Sequence, residues 1–183
     1  MRQTKSKMVF KDVIRKSVLK KYSSTVPTSI LPLSKISTAV AFIDVEDQSF
    51  NECKDALMSF FRANSIKGEI FFFDFRKIIS GERLITSITN TILRKDLNWY
   101  GKPSDEKIAF LDSIPEPDVL ISLLPGADFP AEFAARYCKA RFKIGRLRLP
   151  GDVFDLVVSD PSGKTLSQAE SFEAMKNLMG KIQ

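Results

Sequence analysis

The nine residues Ile36 to Asp44, ISTAVAFID, are almost all apolar and rich in β-branched side chains. A strand of this composition is buried on both faces, so it belongs in a sheet covered by helices above and below, the environment of parallel sheets. The chain beyond it obeys the same rule. Ser49 and Glu52 have the spacing of a capping box, and Phe50, Cys53, Leu57, Phe60 and Phe61 follow at helical intervals, which predicts a helix from about Ser49 to Ala63. Glu69 to Phe75, EIFFFDF, reads as a second strand and Thr91 to Leu93 as a short third, with the stretch Arg76 to Asn90 ambiguous. Ser104 can cap a short helix carrying Ile108 and Leu111.

Asp118 to Leu124, DVLISLL, is a fourth strand, followed by a helix from Asp128 with Pro130 in its first turn. Arg141 to Ile144 and Phe154 to Ser159 are the fifth and sixth strands, and Ser167 with Glu170 opens a closing helix. Strand and helix alternate almost throughout. The expected fold is therefore α/β: a Rossmann-like three-layer sandwich with a mostly parallel sheet of about five to six strands, preceded by a basic N-terminal helix.

Charge divides the chain unevenly. Residues 1–22 carry eight basic residues against the single acid Asp12, while the remainder holds 20 basic and 21 acidic residues, so the net charge of +6 belongs to the N-terminal arm. Met8 to Tyr22 reads as a helix with Phe10, Ile14 and Val18 on one side, interrupted by Lys11 and Arg15. Three partners suit such an arm. An anionic membrane surface could be met through Lys7, Lys11, Arg15, Lys16, Lys20 and Lys21; the apolar stripe could pack on its own domain; or it could pack on a twin as a homodimer. Nucleic acid is the least favoured, because no strand alternates basic and aromatic residues. The segment 23–35, SSTVPTSILPLSK, is a Ser/Thr/Pro-rich linker, leaving 36–183 as one α/β domain.

Histidine is absent, which excludes Ser-His and Cys-His nucleophile pairs, histidine metal sites and histidine general bases. Cys53 and Cys138 fall on apolar helical faces and are expected to be buried free thiols. No run of about 18 apolar residues and no secretory signal pattern occurs, so a cytoplasmic location is the expectation, with the inner membrane face as the place a basic arm would attach. No cofactor and no metal are called for.

In a parallel sheet, ligands bind beyond the carboxyl ends of the strands. The residues there are Asp44 and Glu46, Asp74 and Arg76, the stretch NWYGK, Pro125 and Gly126, Arg146, and Asp160. Asn98, Trp99, Tyr100 and Lys102, facing Asp44 or Arg146, form the candidate ligand site: an aromatic pair for stacking, an amide, and a cation. The competing expectation is that Trp99 anchors a loop shaped by Gly101 and Pro103. PSGKT, Pro161 to Thr165, ends like a phosphate-binding loop but has Val158 where that loop needs glycine, and no G-x-G-x-x-G occurs. DVED, Asp44 to Asp47, could hold a hard cation, although a solvated turn is the simpler account. Asp118 and Asp155 each open a similar pentapeptide, DVLIS and DLVVS, the mark of one repeated strand type.

LNWYGKP (Leu97 to Pro103), with ARFKIGR (Ala140 to Arg146) and FDLVV (Phe154 to Val158), resembles a family of small uncharacterised bacterial proteins with a basic N-terminal helix and an α/β body. That resemblance implies no activity. DVLISLL, FAARYCKA and RFKIGR also resemble, in order, part of the acceptor-side domain of heptosyltransferase-like glycosyltransferases, whose nucleotide-sugar domain has no counterpart here. The expected function is a non-catalytic binding or interaction module. The alternative is a small enzyme or sugar/nucleotide-binding domain related to half of a glycosyltransferase.

Overall fold

A computed structural model of the protein describes residues 2–77, 86, 89–126, 128–161 and 164–182, with side chains from residue 9 onward. The ambiguous stretch before Asn90 and Ser162–Gly163 of PSGKT lie mostly or wholly outside the described residues. Helix α1 spans Arg2–Tyr22. Strand β1 (Thr38–Asp44), helix α2 (Phe50–Ala63), and strands β2 (Lys67–Asp74) and β3 (Thr91–Leu93) follow. Next come α3 (Asp105–Leu111), β4 (Val119–Ser122), α4 (Phe129–Tyr137), β5 (Phe142–Gly145), β6 (Leu156–Val157) and α5 (Gln168–Met179). Among the described residues the six strands form one sheet in the order β3-β2-β1-β4-β5-β6, with every neighbouring pair parallel. The expected mixed α/β architecture with a parallel sheet between helical layers is what the chain adopts.

The alternation of side chains along β1 explains the three layers. Ala39, Ala41 and Ile43 face α2 and α5, which bring Leu57, Phe60, Phe172 and Met175. Val40 and Phe42 face the other way, toward Leu111 of α3 and the alanines of α4. Residues 39 to 43 are fully buried, so the apolar run that opens the domain is apolar because neither face reaches water. Each large side chain buried there contributes about 1.5–3 kcal/mol. Cys53 and Cys138 are free and buried, and burial pushes their thiols up to about 12 and about 11.

The Ser49–Glu52 capping box does not form. The Ser49 hydroxyl donates to Asp47 Oδ1 at 2.7 Å and accepts from the backbone N–H of Ala169 at 3.0 Å, so it joins the starts of α2 and α5. A tertiary partner has replaced the local one. The Ser167–Glu170 box does form, and Ser104 caps α3 by accepting from the N–H of Lys107.

The DVLIS and DLVVS echo has a structural meaning. Oδ2 of Asp118 accepts from the backbone N–H and hydroxyl groups of both Ser37 and Thr38, at 2.8–3.0 Å, tying the foot of β4 to the foot of β1. Asp155 accepts from the N–H of Lys143 at 2.8 Å and from Thr28 at 2.6 Å, tying β6 to β5 and to the segment after α1. Burial pushes the Asp118 carboxyl up, but the donors of Ser37 and Thr38 outweigh it and hold it below the usual carboxylate range.

Asp118→Ala strands these donors and is expected to lower the unfolding free energy by about 2 kcal/mol in urea titration at pH 7. Because the folded carboxyl titrates below its unfolded value, its contribution is present above the ordinary carboxylate range and is lost as pH falls through the depressed folded value. The gap between wild type and variant should therefore narrow in acid; a gap independent of pH would show that ionisation of Asp118 is irrelevant.

Candidate functional site

Strand β1 is the point from which the sheet grows both ways: β2 and β3 on one side, β4 to β6 on the other. Helix α2, leaving β1, covers one face, while α4, leaving β4, covers the opposite face. Chain diverging this way opens a crevice beyond the carboxyl ends of β1 and β4, the topological switch point. A cleft of about 240 Å³ lies there, with Phe73, Phe75, Leu124 and Pro125 among its apolar walls and Asp44, Glu46 and Asp128 as its charged groups.

Asp44 is half-buried at the end of β1, and its Oδ1 accepts from the N–H of Glu46 at 2.8 Å. Its backbone N–H and carbonyl are both held by the buried Gln168 side chain at 2.7 Å. Burial raises the Asp44 carboxyl above the usual carboxylate range, and the nearby charges of Glu46, Asp47 and Asp128 add to the rise. Burial also raises Asp128, the residue before α4, although N–H groups at the helix start and the Arg15 charge work against it. Among the described residues, no cation pairs with Asp44, Glu46 or Asp128. The contrast with the other strand ends is plain. Asp74 receives a two-pronged Arg76 guanidinium at 2.7 and 2.8 Å, and Arg146 lies 3.5 Å from Asp160 and 3.9 Å from Asp47.

The other sequence candidates go elsewhere. Oδ1 of Asn98 accepts from the N–H groups of Tyr100, Gly101 and Lys102 at 3.0–3.2 Å, while its own N–H donates to the Lys102 carbonyl, closing a tight loop over a Leu97–Pro103 bridge. Gly101 sits at φ +99°, a conformation that disfavours a side chain, and a Cβ there would approach Arg15 and Phe129. The loop is the seat of α1. Arg15 donates from Nε to the Tyr100 carbonyl at 2.7 Å with its guanidinium 4.8 Å over the Phe129 ring. Lys102, nearly buried, binds Asp105 at 2.6 Å and lies 4.9 Å over the ring of Tyr22. Val18, Leu19 and Tyr22 complete the contact on Phe129 and Phe133.

Trp99 is 62% exposed, with its ring 6.3 Å from that of Phe10 and nearly parallel to it. No hydrogen bond or ion pair joins Asn98, Trp99, Tyr100 or Lys102 to Asp44 or Arg146 among the described residues. Arg146 is buried against the approach to α5, where it donates to the Leu166 carbonyl. Asp44 alone of the six candidates lines the cleft. Asp128, Phe73 and Phe75 line the cleft without being among the residues that the sequence offers as ligand contacts. Asp128 reads locally as a helix start, and only the strand order brings it opposite Asp44.

Fold and cleft define an α/β module of Rossmann strand order with an acid-lined switch point. The chain belongs to a family of unknown function, DUF6913, whose profile matches residues 7–175. No curated protein and no solved structure matches it significantly, and neither the LNWYGKP motif nor a heptosyltransferase likeness gains support from these comparisons. No described helix is long and apolar enough to cross a membrane, and no described group of His, Cys, Asp and Glu could hold a metal ion.

Asp44→Asn keeps the acceptor for Glu46 but removes a desolvated, mutually repelled charge. Since the folded carboxyl holds its proton more tightly than the unfolded one, ionisation opposes folding. The variant is expected to melt about 1–3 °C higher at pH 7, with the difference fading as pH falls below the unfolded carboxylate value, where both chains are neutral at this position. A lower melting temperature at pH 7 would mean that the charge has a partner in solution.

Proposed function

We propose that the protein is a non-catalytic binding module whose ligand is a small molecule bearing a protonated amine on an apolar or aromatic body, taken at the switch-point cleft. The observation that carries this reading is the set of three carboxylates, Asp44, Glu46 and Asp128, gathered without an ion-pair partner among aromatic and aliphatic walls. An ammonium group placed between them relieves repulsion that folding leaves in place, and the half-buried Phe75 offers surface to an apolar body. At about 240 Å³ the cleft is smaller than a drug-sized pocket, which limits the ligand to a compact molecule.

The chemistry of the chain favours binding over turnover. It has no histidine, and burial keeps both thiols protonated. The sugar/nucleotide alternative meets an electrostatic obstacle. Where dinucleotide-binding folds place a glycine-rich turn that receives phosphate, this chain has DVED, and a phosphate entering there would face carboxylates.

Calorimetric titration with ethanolamine, putrescine and phenethylamine, alongside uridine diphosphate and a uridine diphosphate sugar, separates the two readings. Phenethylamine is expected to bind best, and Asp44→Asn or Asp128→Asn to weaken it at least about tenfold through loss of a charge-assisted contact. Affinity should fall as pH drops through the raised carboxyl values, because a protonated carboxyl no longer balances the ammonium. Binding of the nucleotides and of no amine would replace this proposal with the alternative.

A further inference from the structure

Helix α1 has two faces with different fates. Ile14, Arg15, Val18, Leu19 and Tyr22 turn toward the body and are partly covered. Along the opposite side, Val9, Val13, Lys16 and Lys20 follow one another at intervals of three and four residues, and all four are exposed. Val9 is 64%, Phe10 63% and Val13 59% exposed, and Trp99 reaches the same stretch of the helix through its contact with Phe10. Between residues 9 and 20 the outer surface thus passes from apolar and aromatic side chains to lysines. It is held rigidly from behind by the Arg15 bond to Tyr100 and by Tyr22 under Lys102.

We propose that this face docks on an anionic phospholipid bilayer, with Val9, Phe10, Val13 and Trp99 entering the headgroup boundary and Lys16 and Lys20 resting on lipid phosphates. Charge complementarity commits the surface to that occupant. The helix carries eight cations against one acid, whereas the rest of the chain is balanced to within one charge. A second copy of this helix would bring like charge against like charge, eight cations on each side against one acid. Tryptophan and phenylalanine beside lysine are the side chains that suit the boundary between headgroups and acyl chains. The proposal is independent of what the switch-point cleft binds.

The test uses the full chain, in which Trp99 is the sole tryptophan and therefore its own reporter. Vesicles of phosphatidylcholine alone are compared with vesicles containing phosphatidylglycerol. With the anionic vesicles, the protein should co-sediment, Trp99 emission should shift to the blue, and acrylamide should quench it less; with neutral vesicles none of this should occur. Lys16→Gln with Lys20→Gln should weaken partitioning about thirtyfold. Val9→Ser with Val13→Ser should lose the blue shift while circular dichroism stays unchanged, since these side chains project outward. Failure to co-sediment, or co-sedimentation with unaltered Trp99 emission, would overturn the proposal. So would a lipid-free dimer, seen by analytical ultracentrifugation, that Val9→Ser with Val13→Ser converts to monomer.

Discussion

Four hydrogen bonds to one oxygen of Asp118 hold the feet of β1 and β4 together, and the pairing they anchor decides where the sheet opens. With β4 beside β1, the chain leaves the two strands toward opposite faces, and their carboxyl ends cannot be roofed by a single helix. The carboxylate at one end of the sheet thus underlies the cleft at the other. The polar groups around that cleft are unevenly satisfied. Gln168 and Arg146 fix the side toward α5, and Arg76 neutralises Asp74, while Asp44, Glu46 and Asp128 remain as concentrated negative charge.

The second organising contact is the seat of α1. Asn98 folds the NWYGK loop on itself so that the Tyr100 carbonyl points at Arg15, and Lys102 faces the ring of Tyr22. Three cation–aromatic or cation–carbonyl contacts then grip the inner side of a helix whose outward residues Val9, Val13, Lys16 and Lys20 are exposed. The charge of Arg15 offsets a part of the rise that burial gives the Asp128 carboxyl, which stays above the usual carboxylate range.

The fold was legible in the chain because buried parallel strands and amphipathic helices write their periodicity directly. The run ISTAVAFID, the Phe-rich EIFFFDF and the Ser167–Glu170 box each mark their element to within a few residues. What the sequence hid was tertiary substitution. Ser49 serves Asp47 and Ala169 in place of its own helix, and Arg146 turns into the body toward Asp47 and Asp160. Of the cleft lining, Asp44, Glu46, Pro125 and Gly126 were legible as residues that follow strands, and only Asp44 among them as a candidate ligand contact. Asp128 joins it across 84 residues of chain through strand order, a property no local pattern carries. Trp99 is chemically conspicuous in the sequence, and its exposed ring beside Phe10 connects it to the N-terminal helix and not to the cleft.

The central claim, that the switch point is a cation-selective ligand site, is tested most directly by mapping backbone amide shifts in nuclear magnetic resonance spectra while an aromatic amine is titrated into the full chain. The shifts are expected to saturate and to concentrate at residues 44–47, 73–75, 124–126 and 128–131 on both sides of the cleft, with none from inorganic phosphate. Saturating shifts confined to other strand ends, such as 145–147 with 164–168, or phosphate shifting residues 44–47, would contradict it.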